Sequence, residues 1–284
     1  MVAPGLIVVF ACVIGGFCIA GGHPRLLWQP GEWIVILGIA FGALVVSTPL
    51  KLLRKCFSVL FGCFKRVHVS QDAYVELLAM MYQLFALARK NGLLALEPHL
   101  TEPEKSDIIS KYPAVFRNKA AMELLVETFR LVVDGSVQPE DIEPLMDSSI
   151  ETYESEGHMP VNVLRAVADG LPGLGIVGAV LGIIVTMAHM GDANPESVGI
   201  HVANALVGTL LGVFFAYGVL FPMVTTIAQH EAEQTKYLVV IKTAMSSYVS
   251  GASPSVAIEF ARRSIFSFDR PAAAVVEKAC KGAR

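Results

Sequence analysis

The chain has 284 residues, of which 54% are hydrophobic and 17% charged, with a mean hydropathy of +0.57 and a formal net charge of −3. Apolar residues stand above and charged residues below their usual shares in soluble globular proteins, which excludes an ordinary water-soluble domain. The small net charge gives no electrostatic footprint for a nucleic-acid partner.

The apolar excess is concentrated in residues 2–24, 33–50, 170–191 and 197–230, none of which contains Asp, Glu, Lys or Arg. A helix crosses the hydrocarbon core with about 20 mostly apolar residues, so the first three stretches fit one span each. The fourth would make a helix of roughly 51 Å, long enough to cross the bilayer and continue into the cytoplasm. The first stretch lacks a basic n-region and an A-x-A-like cleavage site, so it reads as an anchor and not as a secretory signal. Cys12, Cys18, Cys56, Cys63 and Cys280 have no paired metal-ligand spacing and read as reduced thiols.

Basic residues set the orientation. Of the 22 Lys and Arg residues, only Arg25 lies in the short links between the first and second or the third and fourth spans. Lys51, Arg54, Lys55, Lys65 and Arg66 follow directly after the second span, which marks that side as cytoplasmic. The two external links are small, and the bulk of the chain is expected inside.

The segment between the second and third spans reads as helix. Residues 51–66 intersperse Leu52, Leu53, Phe57, Leu60, Phe61 and Phe64 with basic residues. That pattern fits either an interfacial helix or an amphipathic helix packed on its own domain. A second helix is expected over 71–90, with Leu77, Leu78, Met81, Leu84, Phe85 and Leu87 at helical spacing and a stop at Asn91-Gly92. Others are expected over 119–133, closed by Asp134-Gly135, and over 139–156, with Pro139 in its first turn. Two short helices, 254–266 and 271–280, follow the fourth span. The predicted architecture is an all-α membrane protein in four parts: spans one and two (1–50), a cytoplasmic helical domain (51–168), spans three and four (169–230) and a cytoplasmic helical tail (231–284).

The third and fourth spans carry small residues at helical spacing, including the GxxxG pairs Gly178/Gly182 and Gly208/Gly212, which permit close helix approach. Pro172 and Pro222 each remove a backbone hydrogen bond and can bend their helices. By this division no span contains an acid or a base. Thr186, Asn204, Thr209 and Tyr217 offer only hydroxyl and amide groups. If ions cross here, their carrier is expected on another chain. His189 and His201 flank the external link and read as solvated. No P-loop, nucleophile elbow, zinc-protease motif or Cys/His cluster is present, so the chain reads as non-enzymatic, with neither cofactor nor metal.

The segments GGHPRLLWQPGEWIVILG, ELLAMMYQLFALARKNGLLALE, IEPLMDSSIETYESE, ADGLPGLGIVGAVLGII, ALVGTLLGVFFAYGVLFP and PSVAIEFARRSIF, the last followed by DRP, cover nearly the whole chain. Together they resemble the MotA family of flagellar stator subunits, as does the order of two spans, a cytoplasmic domain, two spans and a tail. The resemblance implies a homopentamer around a dimer of a MotB-type B subunit, whose single transmembrane helix supplies the ion-binding aspartate. Ion flow would turn the A ring, and the cytoplasmic domain would push the rotor switch protein FliG.

The same resemblance implies that Arg89 and Glu97 contact the rotor, that Pro172 and Pro222 couple ion binding to conformation, and that Thr209 and Tyr217 face the ion site. Sodium-driven relatives resemble this third span but have a threonine where Ala179 stands. A hydroxyl adds an oxygen ligand for a hard cation and alanine adds none, so the implied coupling ion is the proton. Two other readings are an ExbB/TolQ-like energiser of outer-membrane processes, which usually has three spans, and a passive membrane scaffold.

Overall fold

The structure, a computed structural model, describes residues 2–64, 69–188 and 195–282, without the side chains of 195–198 and 201. His189, Lys65 and Arg66 therefore lie outside the described residues, as does the side chain of His201. The described residues form helices and turns only. They comprise α1 (Val2–Ile19), α2 (Pro30–Ser47), α3 (Leu50–Gly62), α4 (Gln71–Asn91), α5 (Glu97–Thr101), α6 (Pro113–Arg117), α7 (Lys119–Val133), α8 (Pro139–Ala188), α9 (Pro195–Val213), a π-helical segment (Phe214–Leu220), α10 (Phe221–Val249), α11 (Pro254–Ser264) and α12 (Ala273–Gly282). Among the described residues, four helical stretches are long and apolar enough to cross a membrane: Val2–Ile19, Pro24–Ser47, Pro139–Ala188 and Val202–Val249.

The chain divides into two compact units, one of Met1–Val67 with Glu156–Gln229 and one of His68–Ser155 with His230–Arg284. The first contains the apolar helices. α1 has no buried residue, and Ile7, Val8, Val46, Ile184 and Val185 are exposed. Helices apolar on all sides leave such surface outward where the surroundings are hydrocarbon, because burial there brings no hydrophobic gain. The unit is held by Ile36 and Ala40 of α2 against Leu171 of α8, with Val207, Leu211 and Ala216 from the fourth span. α3 packs Cys56, followed by Cys63, against Val161, Leu164, Met223, Val224 and Ile227. Lys55 Nζ also donates to the Glu156 carbonyl at 3.1 Å. Amphipathic packing on its own unit thus describes one face of α3, while Phe61 and Phe64 stay exposed.

The second unit is built around α4. Tyr74, Leu77, Leu78, Met80, Met81, Leu84 and Phe85 are fully buried against Leu125, Phe129, Ile241, Met245, Ala257 and Ile258. Each such side chain contributes about 1.5–3 kcal/mol relative to exposure. Phe85 stacks on Tyr248 with centroids 4.2 Å apart and planes 10° apart. The helix ends follow local chemistry. Ser70 Oγ accepts from the Ala73 amide at 3.3 Å, and Asn118 Oδ1 accepts from the Ala121 amide at 3.2 Å, so both N-caps are satisfied. α7 stops where Gly135 takes φ 64°. The Gly135 amide there donates to Val132 O at 3.3 Å and the Ser136 amide to Leu131 O at 3.2 Å, a Schellman closure.

Two expectations need correction. The helix expected over 139–156 continues to Ala188, through Pro160 and Pro172. Val161, Leu164 and Leu171 of this stretch are buried, and that packing outweighs the missing proline amides. The second apolar helix starts at Pro30 rather than at Trp33, so it carries Glu32 in its first turn. The absence of any acid from the spans therefore does not hold.

Candidate functional site

α8 and α9 meet through glycine. A Cβ on Gly175 would stand 2.8 Å from Gly208 O and 3.1 Å from Gly212 Cα. A Cβ on Gly212 would meet Leu171 O at 2.6 Å. Farther along α8, one on Gly182 would stand 3.1 Å from Ala205 Cβ. Partners fall in number on α9 as they rise on α8, so the helices run antiparallel, with backbones in contact for about two turns.

Gly178 and Gly182, the α8 pair singled out in the sequence, serve mainly another purpose. A Cβ on Gly178 or on Gly208 would collide with Glu32 Oε2, and one on Gly182 would lie 3.4 Å from Glu32 Oε1. The glycines thus make room for a carboxylate from α2. Glu32 is the only Asp, Glu, Lys or Arg among the described side chains of 2–19, 30–47, 170–188 and 202–229. Sequence reasoning missed it because a charge-free-run criterion ends the helix at the first charge, although Pro30 at a helix start signalled the true boundary.

Ala179 is buried on this interface, and its amide nitrogen would be 3.2 Å from a Cβ on Gly208. Thr209 is half-buried one residue further along α9, and Thr186 donates to Gly182 O at 2.8 Å. Pro172 lies half-buried within α8, at the start of the glycine-lined stretch.

Pro222 occupies the second residue of α10, immediately after the π-helical segment Phe214–Leu220. Proline has no amide to give to the carbonyl four residues back, and its ring crowds that oxygen. Widening the preceding turn to π geometry, with the Phe221 amide reaching Ala216 O, accommodates this. Tyr217 lies inside the π segment, 62% exposed, with its ring stacked 5.4 Å from that of Phe221. The structure therefore brings Ala179 and Thr209 to one helix contact, while Tyr217 and Pro222 share the π segment and the turn after it.

Arg89 and Glu97 belong to the second unit, and both are exposed. Arg89 is in the last turn of α4, where a cation complements the helix dipole. Gly92, with φ 86°, turns the chain into a short 3-10 turn, Leu93–Leu96, and Glu97 opens α5. Arg89 also lines a cavity of about 480 Å³ with Leu93, Val137, Tyr248 and Ala252. Among the described residues there is no group of three His, Cys, Asp or Glu that could hold a metal.

Residues 3–92 match the family described as motility protein A N-terminal, and residues 115–239 match the MotA/TolQ/ExbB proton channel family. Motility protein A of Salmonella typhimurium is 35% identical over 280 residues, covering 99% of this chain and 95% of the relative. The chain belongs to the motility protein A family. The Escherichia coli motility protein A is likewise 35% identical, over 94% of this chain and 90% of its own. Among solved structures, the flagellar MotAB stator complex of Bacillus subtilis superposes with a TM-score of 0.76 at 25% identity, covering 94% of this chain and 96% of that one. The Campylobacter jejuni MotAB structure, at 21% identity and a TM-score of 0.79 over 96% and 98% of the two chains, has the same fold. An ExbB/TolQ-like energiser and a passive scaffold are not favoured, because the matches to motility protein A run nearly end to end.

Proposed function

We propose that the chain is the A subunit of a flagellar stator, coupling proton flow to torque on the rotor. The observation that carries this is the near-full-length identity to motility protein A relatives, joined to the likeness to a MotAB stator complex. In this role the chain forms a homopentamer around a dimer of a MotB-type B subunit, which supplies a transmembrane aspartate, and acts on FliG as the rotor partner. The chain sits in the bacterial inner membrane as a multi-pass protein. Its second unit and its termini face the cytoplasm, as the crowding of Lys and Arg after the second span supports.

Protonation of the partner's aspartate does work only by changing which helix arrangement is stable. The parts of this chain suited to respond are the α8/α9 contact at Ala179 and Thr209 and the π segment with Tyr217 and Pro222. Pro172 sits where α8 begins that contact. Ala179 supplies no side-chain oxygen, which supports the proton over sodium. Arg89 and Glu97 act on the rotor through exposed charge in this reading.

The test is expression with the B subunit of the same genome in flagellated cells lacking stators. Tethered cells should rotate with both chains and stop when the B aspartate is replaced by asparagine. No rotation with the native rotor, despite confirmed insertion and complex formation, would overturn the reading.

A further inference from the structure

The three buried side-chain polar atoms without a hydrogen-bond partner among the described residues are Glu32 Oε2, Trp33 Nε1 and Asn204 Oδ1. All three belong to α2 and α9, in the unit of apolar helices. Unsatisfied buried polar atoms are uncommon because each costs about 1–3 kcal/mol, so each calls for an explanation. Asn204 is one helical turn from Gly208, on the α9 stretch against which the Glu32 carboxylate lies. Two oxygen acceptors thus occur here with no donor hydrogen assigned to either. A protonated Glu32 carries a donor hydrogen of its own, whereas an ionised one leaves a charge among glycines and aliphatic side chains.

The glycines are the second observation. On α8 and α9, Gly178 and Gly208 each leave the volume that a Cβ would fill, and the carboxylate occupies that volume. Helix contact alone does not require this, since α8 and α9 already close through Gly175 and Gly212. An acid held among apolar helices is costly, and where one is retained it marks an ion or proton pathway.

We propose that Glu32 is a proton-binding station contributed by the A subunit, acting in series with the acid of the partner subunit. It takes a proton from water at the end of α2 nearer the short α1–α2 link and later releases it, with no other bond made or broken. The proposal rests on the stator reading. From α8 (170–188) and α9 (202–213) no Asp, Glu, Lys, Arg or His faces the carboxylate. The nearest such groups along the chain are His23, which precedes the 3-10 turn Pro24–Leu27, and Arg25 within that turn, which also packs on α9. Glu196 and His201 belong to α9, with side chains outside the described set.

A hydrophobic carbodiimide tests this in membranes holding the complete complex with its B subunit. The reagent adds to a protonated carboxyl group, whose O–H crosses its C=N bond to give an acylisourea that rearranges to a stable acylurea. A carboxylate does not react. Peptide mass spectrometry should find the adduct on Glu32, falling several-fold as pH rises and absent in Glu32→Gln. Gly178→Ala, which pushes into the carboxylate, should change the pH at which labelling falls. The Glu32→Gln complex should assemble and turn several-fold more slowly, with Glu32→Asp keeping part of the speed. Labelling that is absent or independent of pH, while the B-subunit acid reacts normally, would overturn the proposal. So would a Glu32→Gln complex of normal speed across the pH range. If Glu32→Gln fails to assemble, labelling of the unaltered complex still decides. Labelling needs no rotation, so failure of the stator reading remains distinguishable from failure of this one.

Discussion

Gly175 of α8 faces Gly208 of α9 so closely that a Cβ on Gly175 would stand 2.8 Å from the Gly208 carbonyl oxygen. The obstacle is backbone, which cannot rotate away as a side chain tip can. Gly175→Ala must separate the helices, and overpacking of this kind costs about 1–3 kcal/mol. The thermal midpoint of the detergent-solubilised complex should fall, and motility should fall with it. Gly173→Ala, with open space around its Cβ, is the control and should leave both unchanged.

The π segment before Pro222 follows from a missing amide, so Pro222→Ala should let the turn tighten towards α geometry. The substitution should leave the complex assembled, since Pro222 is exposed in this chain. Rotation should slow, because the widened turn carrying Tyr217 is lost. Cysteine crosslinking across the complex would check assembly and tethered-cell speed would check output. Unchanged speed would remove this segment from the coupling mechanism.

Arg89 and Glu97 are both solvent-exposed, and exposed ion pairs are worth about 0.2–1 kcal/mol each. Arg89→Glu or Glu97→Lys alone should therefore reduce swimming speed without abolishing it, and the double reversal should reduce it further. Rotor variants of opposite charge should restore part of the loss. Such contacts are electrostatic and screened by salt, so binding of rotor protein to the isolated complex should weaken as ionic strength rises.

Outside the apolar helices, Glu259 accepts from Arg262 Nε at 2.7 Å and from Arg263 Nε at 2.7 Å. The Arg262 hydrogen bond is the main reason its carboxyl is held down at about 2, against an ordinary 4.5. A depressed carboxylate stabilises the fold fully above its unfolded value, and that contribution fades as pH falls from about 4.5 towards 2. Its magnitude is reduced by solvent, because the Glu259 side chain is 38% exposed. Thermal midpoints should show Glu259→Gln less stable than the parent at neutral pH, with the gap closing across that acid window. A gap independent of pH would assign the effect to packing.

The apolar helices were legible because their runs are long and uninterrupted, and α4 because Leu77, Leu78, Met81, Leu84 and Phe85 recur at helical spacing and are all buried. The stops at Gly92 and Gly135 were legible because both take positive φ, which disfavours other residues. α5 and α6, five residues each, are too short for periodicity to register. The continuity of α8 was hidden because Pro160 and Pro172 are breakers by local preference, and only burial of Val161, Leu164 and Leu171 overrides them. Glu32 was hidden for a related reason: a single acid beside an apolar run reads as its boundary until the glycines of two distant helices are seen around it. Ala179 and Thr209 both lie at the α8/α9 contact, but that placement depends on which glycines pair, and the sequence pattern pointed to Gly178 rather than Gly175.

On the proposed function, proton flow through a complex containing this chain turns the flagellar rotor. Tethered cells carrying this chain and its B subunit as the only stator proteins can be recorded while the proton gradient is collapsed at constant sodium. Rotation should stop as the gradient falls and resume when it is restored. Rotation that persists without the proton gradient and ceases when sodium is withdrawn would contradict the account.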